Sequence, residues 1–110
     1  MDPIIITTTS DDKATLVRIA DQLITRKLAA CVQIGGPVES RYHWNGKIES
    51  SSEWQCVIKT AKDRYKEIEH AINELHHYDT PQIVGVDVAE ISPTYKAWLI
   101  ESLATNPEDD

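Results

Sequence analysis

Apolar and polar residues follow two different periods along the chain, which together predict four strands and three helices. Runs rich in β-branched and apolar residues at 4–9, 29–34, 54–60 and 83–88 are typical of strands. Between and after these runs, apolar residues recur at three- and four-residue steps, as amphipathic helices require. The predicted order of elements is therefore β-α-β-β-α-β followed by a last helix.

Three amphipathic stripes define the helices. The first follows Ser10 or Asp11, either of which can cap a helix. The second ends before Pro81, because the residue that precedes a proline avoids helical angles. The third opens at Ser92, a capping residue followed by proline at the first helical position. The side chains expected to point inward are Leu16, Ala20, Leu23, Ile24 and Leu28 in the first helix, Tyr65, Ile68, Ile72 and Leu75 in the second, and Tyr95, Trp98, Leu99 and Leu103 in the third.

This order of elements is that of the ferredoxin-like split β-α-β arrangement, an α+β fold with an antiparallel sheet covered on one face by two helices. Asn45-Gly46 favours a two-residue turn, so the second and third strands should form a long hairpin, and an extra C-terminal helix follows the fourth strand. A chain of 110 residues can bury one core. Residues 1–105 are therefore expected to form a single domain, and residues 106–110 a disordered acidic tail.

The two-residue turn also sets the register of the hairpin. Continued to the base, this register would place the apolar residues of the two arms on opposite faces. One extra residue is therefore expected within residues 35–37, where glycine accommodates a bulge. With this bulge Cys31 and Cys56 point to opposite faces, so they are not expected to form a disulfide. The pairs predicted at the tip are Trp44 with Lys47, His43 with Ile48 and Tyr42 with Glu49.

The distal half of the hairpin should extend beyond its helical cover. Arms from residue 30 to residue 60 would extend on the order of 50 Å, whereas an 18-residue helix spans about 27 Å. An isolated two-stranded ribbon is marginal in water, so a second copy of the chain is expected to cover it. The alternative is that its aromatic side chains fold back on their own domain. The candidate interface residues are Tyr42, Trp44, Ile48 and Trp54.

Composition narrows the choice of partners and compartment. The net charge of −7 repels phosphate backbones and anionic membranes and favours cations. No apolar run approaches the roughly 18 residues of a membrane span, and the N-terminus lacks the basic region of a secretory signal. We therefore expect a cytoplasmic protein with no nucleic-acid or membrane partner, whose two cysteines remain thiols.

Four segments of the sequence carry a resemblance to a known family. They are KLAAC at 27–31, YHWNGKIESSSEWQCVIKT at 42–60, HHYDTPQIV at 76–84 and SPTYKAWL at 92–99. With these segments, the chain resembles the CutA divalent-cation tolerance proteins over nearly its whole length. The resemblance implies a ferredoxin-like subunit in a tight homotrimer, with hairpins that wrap neighbouring subunits. It also implies a link to tolerance of copper and other divalent metals.

A copper site requires imidazole, thiolate or thioether ligands, and this sequence has few. His76 and His77 are candidate ligands at the end of the second helix, although histidines there also suit the negative end of the helix. Cys31 is a third candidate, although its apolar surroundings also suit a small buried side chain. Some family members carry a cysteine in place of Thr8 and a histidine in place of Leu75. The resemblance therefore does not imply a strong copper site by that route.

No motif in the sequence indicates catalysis. There is no nucleophile motif, phosphate-binding glycine loop or Cys-x-x-Cys pair. Glu49, Glu53 and Lys59 occupy ladder positions that are typical of a solvated or interface face. We therefore expect a non-enzymatic homotrimer for divalent-cation tolerance that requires no cofactor and binds copper or another divalent cation weakly. The alternative is a trimeric signalling or interaction module that binds a small molecule or a partner protein in clefts between subunits, without a metal.

Overall fold

A four-stranded antiparallel sheet with two helices on one face forms the body of the protein. The structure is a computed structural model that describes residues 1–104, so the tail predicted at 106–110 lies outside the described residues. The elements are β1 (Pro3–Ser10), α1 (Lys13–Thr25), β2 (Cys31–Trp44), β3 (Lys47–Ala61), a single 3-10 turn (Lys62–Arg64), α2 (Tyr65–Leu75), β4 (Val84–Asp87) and α3 (Pro93–Leu103). The strand order is β2-β3-β1-β4, with antiparallel neighbours throughout. The predicted ferredoxin-like α+β fold is confirmed.

The core lies between one face of the sheet and the inner sides of α1 and α2. Ile6 on β1 and Ile58 on β3 are opposite one another in the sheet, and both are fully buried. Burying such side chains removes apolar surface from water, which is the main favourable contribution to folding. The helical side chains that complete this layer are Leu16, Ile19 and Leu23 from α1 and Ile68, Ala71 and Ile72 from α2.

The first helix differs from its prediction in two respects. Its cap is Asp12, which accepts a hydrogen bond from the backbone N–H of Ala14, because Ser10 is still part of β1. Ile24, predicted to point inward, is 44% exposed, whereas Ile19 is fully buried. Each residue advances 100° around a helix, so Ile24 lies one step past the buried stripe, and the helix ends at Thr25.

The last helix begins as predicted but buries fewer side chains. Ser92 is its cap and accepts a hydrogen bond from the backbone N–H of Tyr95. Leu99 and Leu103 are buried, whereas Tyr95 and Trp98, which were also expected to point inward, are 37% and 45% exposed. Residues four apart lie on the same face of a helix, and α3 buries only the face that carries Leu99 and Leu103. The rings of Tyr95 and Trp98 therefore remain partly exposed to solvent.

The hairpin follows the predicted register throughout. Asn45 and Gly46 have φ angles of 51° and 75°, as a two-residue turn of this type requires. The register shifts once, between Gly35 and Val38, which confirms the predicted bulge. The three predicted pairs at the tip are confirmed, and both cysteines are free thiols.

The hairpin extends well beyond the rest of the sheet. The last pair between β1 and β3 is Ser10 with Trp54, so residues 38–53, here called the distal ribbon, have no third strand beside them. The longest dimension of the protein is 50 Å, and its radius of gyration is 15.0 Å, against about 13 Å for a compact chain of this length. The predicted overhang is therefore present.

Candidate functional site

A cleft lies between the distal ribbon and the loop that joins α2 to β4. Its volume is about 630 Å³, and small-molecule sites typically measure roughly 300–1,000 Å³. Tyr42 and Trp44 line it from the ribbon, Tyr78 and Asp79 line it from the loop, and Glu53 lines it from β3. A concave surface that combines aromatic rings with a few polar groups is typical of a ligand site.

Glu53 is the buried polar residue of this cleft. It pairs with Val38 in the first ladder position beyond the bulge, and its side chain is only 6% exposed. Glycine is needed at position 36, because a Cβ there would lie 3.2 Å from the carbonyl oxygen of Glu53 and φ is +136°. The sequence predicted a solvated or interface position for Glu53. The structure buries it within its own chain instead, because Tyr78 from the loop reaches over it.

Tyr78 connects Glu53 to the end of the first strand. Its hydroxyl donates to Glu53 Oε2 at 2.8 Å and accepts from the backbone N–H of Asp11 at 2.8 Å. Burial raises the pKa of Tyr78 well above its usual range, and the hydrogen bond to Glu53 raises that pKa further. Tyr78 therefore stays a neutral phenol at physiological pH and keeps donating its proton to the carboxylate.

His76, one of the predicted metal ligands, is buried and uses both ring nitrogens. Nδ1 accepts from the backbone N–H of Tyr78 at 3.1 Å, so the proton is on Nε2. Nε2 in turn donates to the carbonyl oxygen of Thr9 at 2.7 Å. His76 thus holds the loop between α2 and β4 against β1. A metal ion could bind a ring nitrogen of His76 only after one of these hydrogen bonds is broken.

His77, the neighbouring predicted ligand, faces outward. Its Nε2 is 2.8 Å from Asp11 Oδ1, and its Nδ1 is 3.3 Å from Thr15 Oγ1. The side chain is 46% exposed, so solvent and ions can reach this pair. An imidazole beside a carboxylate offers two donors that suit a transition metal.

Cys31, the third predicted ligand, lies elsewhere in the fold. It is half-buried and pairs with Lys59, which pairs with Ile5 of β1. His76 bonds to Thr9, four residues further along β1, which corresponds to about 13 Å along the strand. The structure therefore brings the two histidines next to each other in the chain but does not bring Cys31 to them.

The donors of one chain do not fit a tightly held copper ion. Within residues 1–104, no three His, Cys, Asp or Glu side chains come together as a metal-binding group. Burial raises the pKa of Cys56 to about 12, so its metal-binding thiolate form is scarce at neutral pH. Two exposed imidazole–carboxylate pairs each supply two accessible donors side by side, His77 with Asp11 and His70 with Glu74. Only the first pair includes a histidine that the sequence predicted as a ligand.

Three of the four predicted interface residues are exposed on the distal ribbon. Tyr42 is 42% exposed, Trp44 is 47% exposed and Ile48 is 78% exposed. Trp54, the fourth, is half-buried against the core and carries the Lys13 ammonium 4.8 Å from its ring centre. The ribbon thus presents large apolar side chains that its own domain does not cover.

The fold and the site together define a class of protein. It is a ferredoxin-like domain whose second and third strands form an overhanging ribbon, with a cleft at the base of that ribbon. The chain belongs to the CutA1 divalent ion tolerance protein family, whose model matches residues 4–102. The family is defined by tolerance of divalent ions and not by an enzymatic reaction, in agreement with the expectation of a non-enzymatic protein.

Individual relatives support this assignment over nearly the whole chain. The divalent-cation tolerance protein CutA of Pyrococcus horikoshii is 37% identical over 100 residues, which cover 89% of this chain and 95% of that protein. The crystal structure of CutA from Xylella fastidiosa has a TM-score of 0.89 and 31% identity, and the match covers 94% of this chain and all of the other.

A third relative bears on the compartment. CutA from Archaeoglobus fulgidus, with a TM-score of 0.89 and 30% identity, covers 93% of this chain and 99% of its own, and is described as periplasmic. In the part of the chain that the structure describes, no helix is long and apolar enough to cross a membrane. The cytoplasmic location inferred from the sequence stays a prediction.

Glu53 and Tyr78 were not among the site residues predicted from the sequence. Charged residues at ladder positions are usually solvated, so nothing in the local pattern marked Glu53 as buried. The available signal was the predicted bulge at 35–37, since bulges are over-represented next to functional sites and Glu53 lies beside this one. Tyr78 falls within one of the four segments that carry the family resemblance.

Proposed function

We propose that this protein is a homotrimeric divalent-cation tolerance protein in which sister subunits cover the distal ribbon. The exposed apolar side chains of the ribbon carry this proposal, Ile48 above all with 78% of its surface in water. A two-stranded ribbon is marginally stable alone, and contiguous apolar patches of this kind mark interaction sites. A second copy of the chain is a partner that is always present at the same concentration.

The uncovered face and edge of the sheet support self-association as well. Val84 and Val86 of the edge strand β4 are 50% and 55% exposed, on the same face as Thr7 and Ile5 of β1. An exposed strand edge is a template for pairing with another chain, and native proteins cover such edges. The ribbon, the edge and the open face together present apolar side chains that one domain alone leaves exposed.

The trimer is tested by sedimentation velocity at micromolar concentration. The wild-type protein is expected at about 37 kDa, three times the 12.4 kDa of one chain. The double variant Trp44→Ser/Ile48→Ser should weaken association by about 1,000-fold, because residues that dominate an interface contribute about 2 kcal/mol or more each. Val17→Ser is the matched control, since Val17 is 41% exposed on α1, away from the ribbon, and should leave the trimer intact. A well-folded wild-type monomer in dilute solution contradicts the proposal.

For the metal, we propose weak copper binding at His77 with Asp11. The support is that this pair is exposed to solvent, whereas His76 is buried and Cys31 lies apart from the histidines. Because one chain supplies only two donors, water or a sister subunit would have to fill the remaining coordination positions of the copper ion. Weak binding is what an incomplete ligand set predicts.

Calorimetric titration with copper sulfate tests this site. Even the partners that orient a metal ligand change affinity by about 10- to 100-fold when lost, so His77→Ala, which removes a ligand, should weaken binding at least as much. His70→Ala is the control, because His70 is also exposed on the protein surface and also lies beside a carboxylate, that of Glu74, at 3.0 Å. Equal copper affinity in the two variants, or no heat with the wild-type protein, rejects the site.

A second candidate function is small-molecule binding in the cleft, as an interaction or signalling module would use. The observation that favours it is the cleft itself, which is large enough for a metabolite and has a buried carboxylate among aromatic side chains. This function needs no metal. The two functions are compatible because the copper donors, His77 and the Asp11 carboxylate, are different side chains from Glu53, although Asp11 also contacts Tyr78 through its backbone N–H.

A further inference from the structure

We infer that the hydroxyl of Thr15 positions His77 in the copper site, so that Nε2 of the imidazole is the nitrogen that binds the metal. This inference rests on the proposed copper binding at His77 with Asp11 and adds a residue to it. Thr15 is a positioning residue and not a ligand, because it acts through the other ring nitrogen of His77.

The first observation is that the imidazole of His77 lies between two oxygen atoms. Its Nε2 is 2.8 Å from Asp11 Oδ1, and its Nδ1 is 3.3 Å from Thr15 Oγ1. The Asp11 side chain is 53% exposed, whereas Thr15 is only 1% exposed. The Nε2 side of the ring therefore faces an exposed carboxylate, and the Nδ1 side faces a buried hydroxyl.

The second observation is that this hydroxyl is arranged to accept a hydrogen bond from His77. Thr15 Oγ1 donates its only proton to Asp12 Oδ2 at 3.2 Å. Arg18 Nη2 donates to the same oxygen at 3.3 Å, which leaves one lone pair for His77. A metal ion that binds Nε2 replaces the proton there, so the remaining proton of the neutral imidazole lies on Nδ1. Thr15 is placed to accept it.

The third observation is that neighbouring groups hold both partners in place. Asp12 caps α1 by accepting from the backbone N–H of Ala14, so the carboxylate that fixes the hydroxyl is itself fixed. The ring of His77 stacks on His76 with the ring centres 5.2 Å apart, and Tyr78 packs edge-on against it at 4.7 Å. A ligand oriented in advance binds a metal without first losing side-chain freedom.

The second exposed pair, His70 with Glu74, lacks such a third group. Nε2 of His70 is 3.0 Å from Glu74 Oε1. Among residues 1–104, however, no side chain forms a hydrogen bond with Nδ1 of His70. Histidines that bind metals almost always donate their other ring N–H to an acceptor, which fixes the tautomer and the ring orientation. His77 is therefore the better metal ligand of these two histidines.

Thr15→Val tests the positioning role, because valine keeps the branched shape and replaces only the hydroxyl by a methyl group. Calorimetric titration of the intact variant with copper sulfate should give an affinity about 10-fold lower than that of the wild-type protein, as losing the partner of a metal-bound histidine does. Thr15→Ser retains the hydroxyl and should bind copper as the wild-type protein does. Thr25→Val makes the same change at the exposed end of the same helix and should leave the affinity unchanged. Thermal unfolding of each variant checks that the fold is retained.

Nitrogen-15 NMR of histidine-labelled protein shows which ring nitrogen binds the metal. Zinc sulfate is the probe, because zinc has a filled d shell and takes the same imidazole and carboxylate donors. We expect zinc on Nε2 of His77 and a proton on Nδ1, and Thr15→Val should make this proton exchange faster with water. A purely structural role of Thr15 would alter stability and leave the exchange of this proton unchanged. Zinc on Nδ1 overturns the inference.

Failure of the inference and failure of the copper site are distinguishable. If His77→Ala loses copper affinity and Thr15→Val does not, copper binds at His77 but Thr15 does not position it. If Thr15→Val and Thr15→Ser lower the affinity equally, the hydroxyl is not responsible and the inference is wrong. If the wild-type protein gives no heat with copper, both the copper site and the inference are rejected.

Discussion

Replacing Ile19 by alanine is expected to lower the free energy of unfolding by about 2–5 kcal/mol, the usual range for truncating a large aliphatic side chain in a core. Ile19 is fully buried in the layer between α1 and the sheet. The variant removes three carbon atoms and leaves a cavity that close-packed neighbours fill only in part. Urea denaturation at a fixed protein concentration measures the loss, since an oligomer's stability depends on concentration.

Ile24→Ala is the matched control for this prediction. It makes the same substitution in the same helix, five residues later, at a side chain that is 44% exposed. Its effect should stay within about 1 kcal/mol of zero, because exposed positions contribute little and alanine is the better helix former. A cost at Ile24 that equals the cost at Ile19 would show that the inward stripe predicted from the sequence is right and the orientation of α1 in the structure is wrong.

Replacing His76 by alanine is expected to lower the free energy of unfolding by about 3–5 kcal/mol. The change leaves the buried carbonyl of Thr9 and the partly buried N–H of Tyr78 without these partners, and an unpaired buried group costs about 1–3 kcal/mol. It also frees the loop that brings Tyr78 to Glu53. The measurement is again urea denaturation, with the wild-type protein at the same concentration.

Two further variants make this result interpretable. His77→Ala should cost about 1 kcal/mol or less, since the pair of His77 and Asp11 is exposed and such pairs contribute little. His76→Asn retains an acceptor near Nδ1 for the N–H of Tyr78 and should recover part of the loss. If His76→Ala and His77→Ala are equally mild, His76 does not fasten the loop, and it becomes available as a metal ligand.

Most of the fold could be read from local patterns. The β-branched runs, the helical stripes and the Asn45-Gly46 turn depend on interactions between residues close in sequence, so they are visible without the tertiary structure. The bulge could also be predicted, because residue counting along two paired strands leaves one place for the extra residue. The family resemblance pointed to the same fold.

Helix orientation was harder to predict. The sequence indicated an apolar stripe on α1 and on α3 but not its centre, and a shift of one residue rotates the stripe by 100°. Ile24, Tyr95 and Trp98 are each apolar enough to be buried, and their exposure depends on how the helix sits on the sheet. Packing between distant elements decides that position, and local periodicity does not contain it.

By itself the sequence determined the class of fold, the order of the elements along the chain, the pairing of β2 with β3, and the overhang of their hairpin, because these follow from short-range preferences and chain length. Only the tertiary structure decided which polar groups meet. Glu53, Tyr78 and Asp11 are far apart in sequence and come together because the loop after α2 folds back over the ends of β1 and β3. The same folding turns His76 inward and leaves His77 outside, although the two residues are neighbours of the same type.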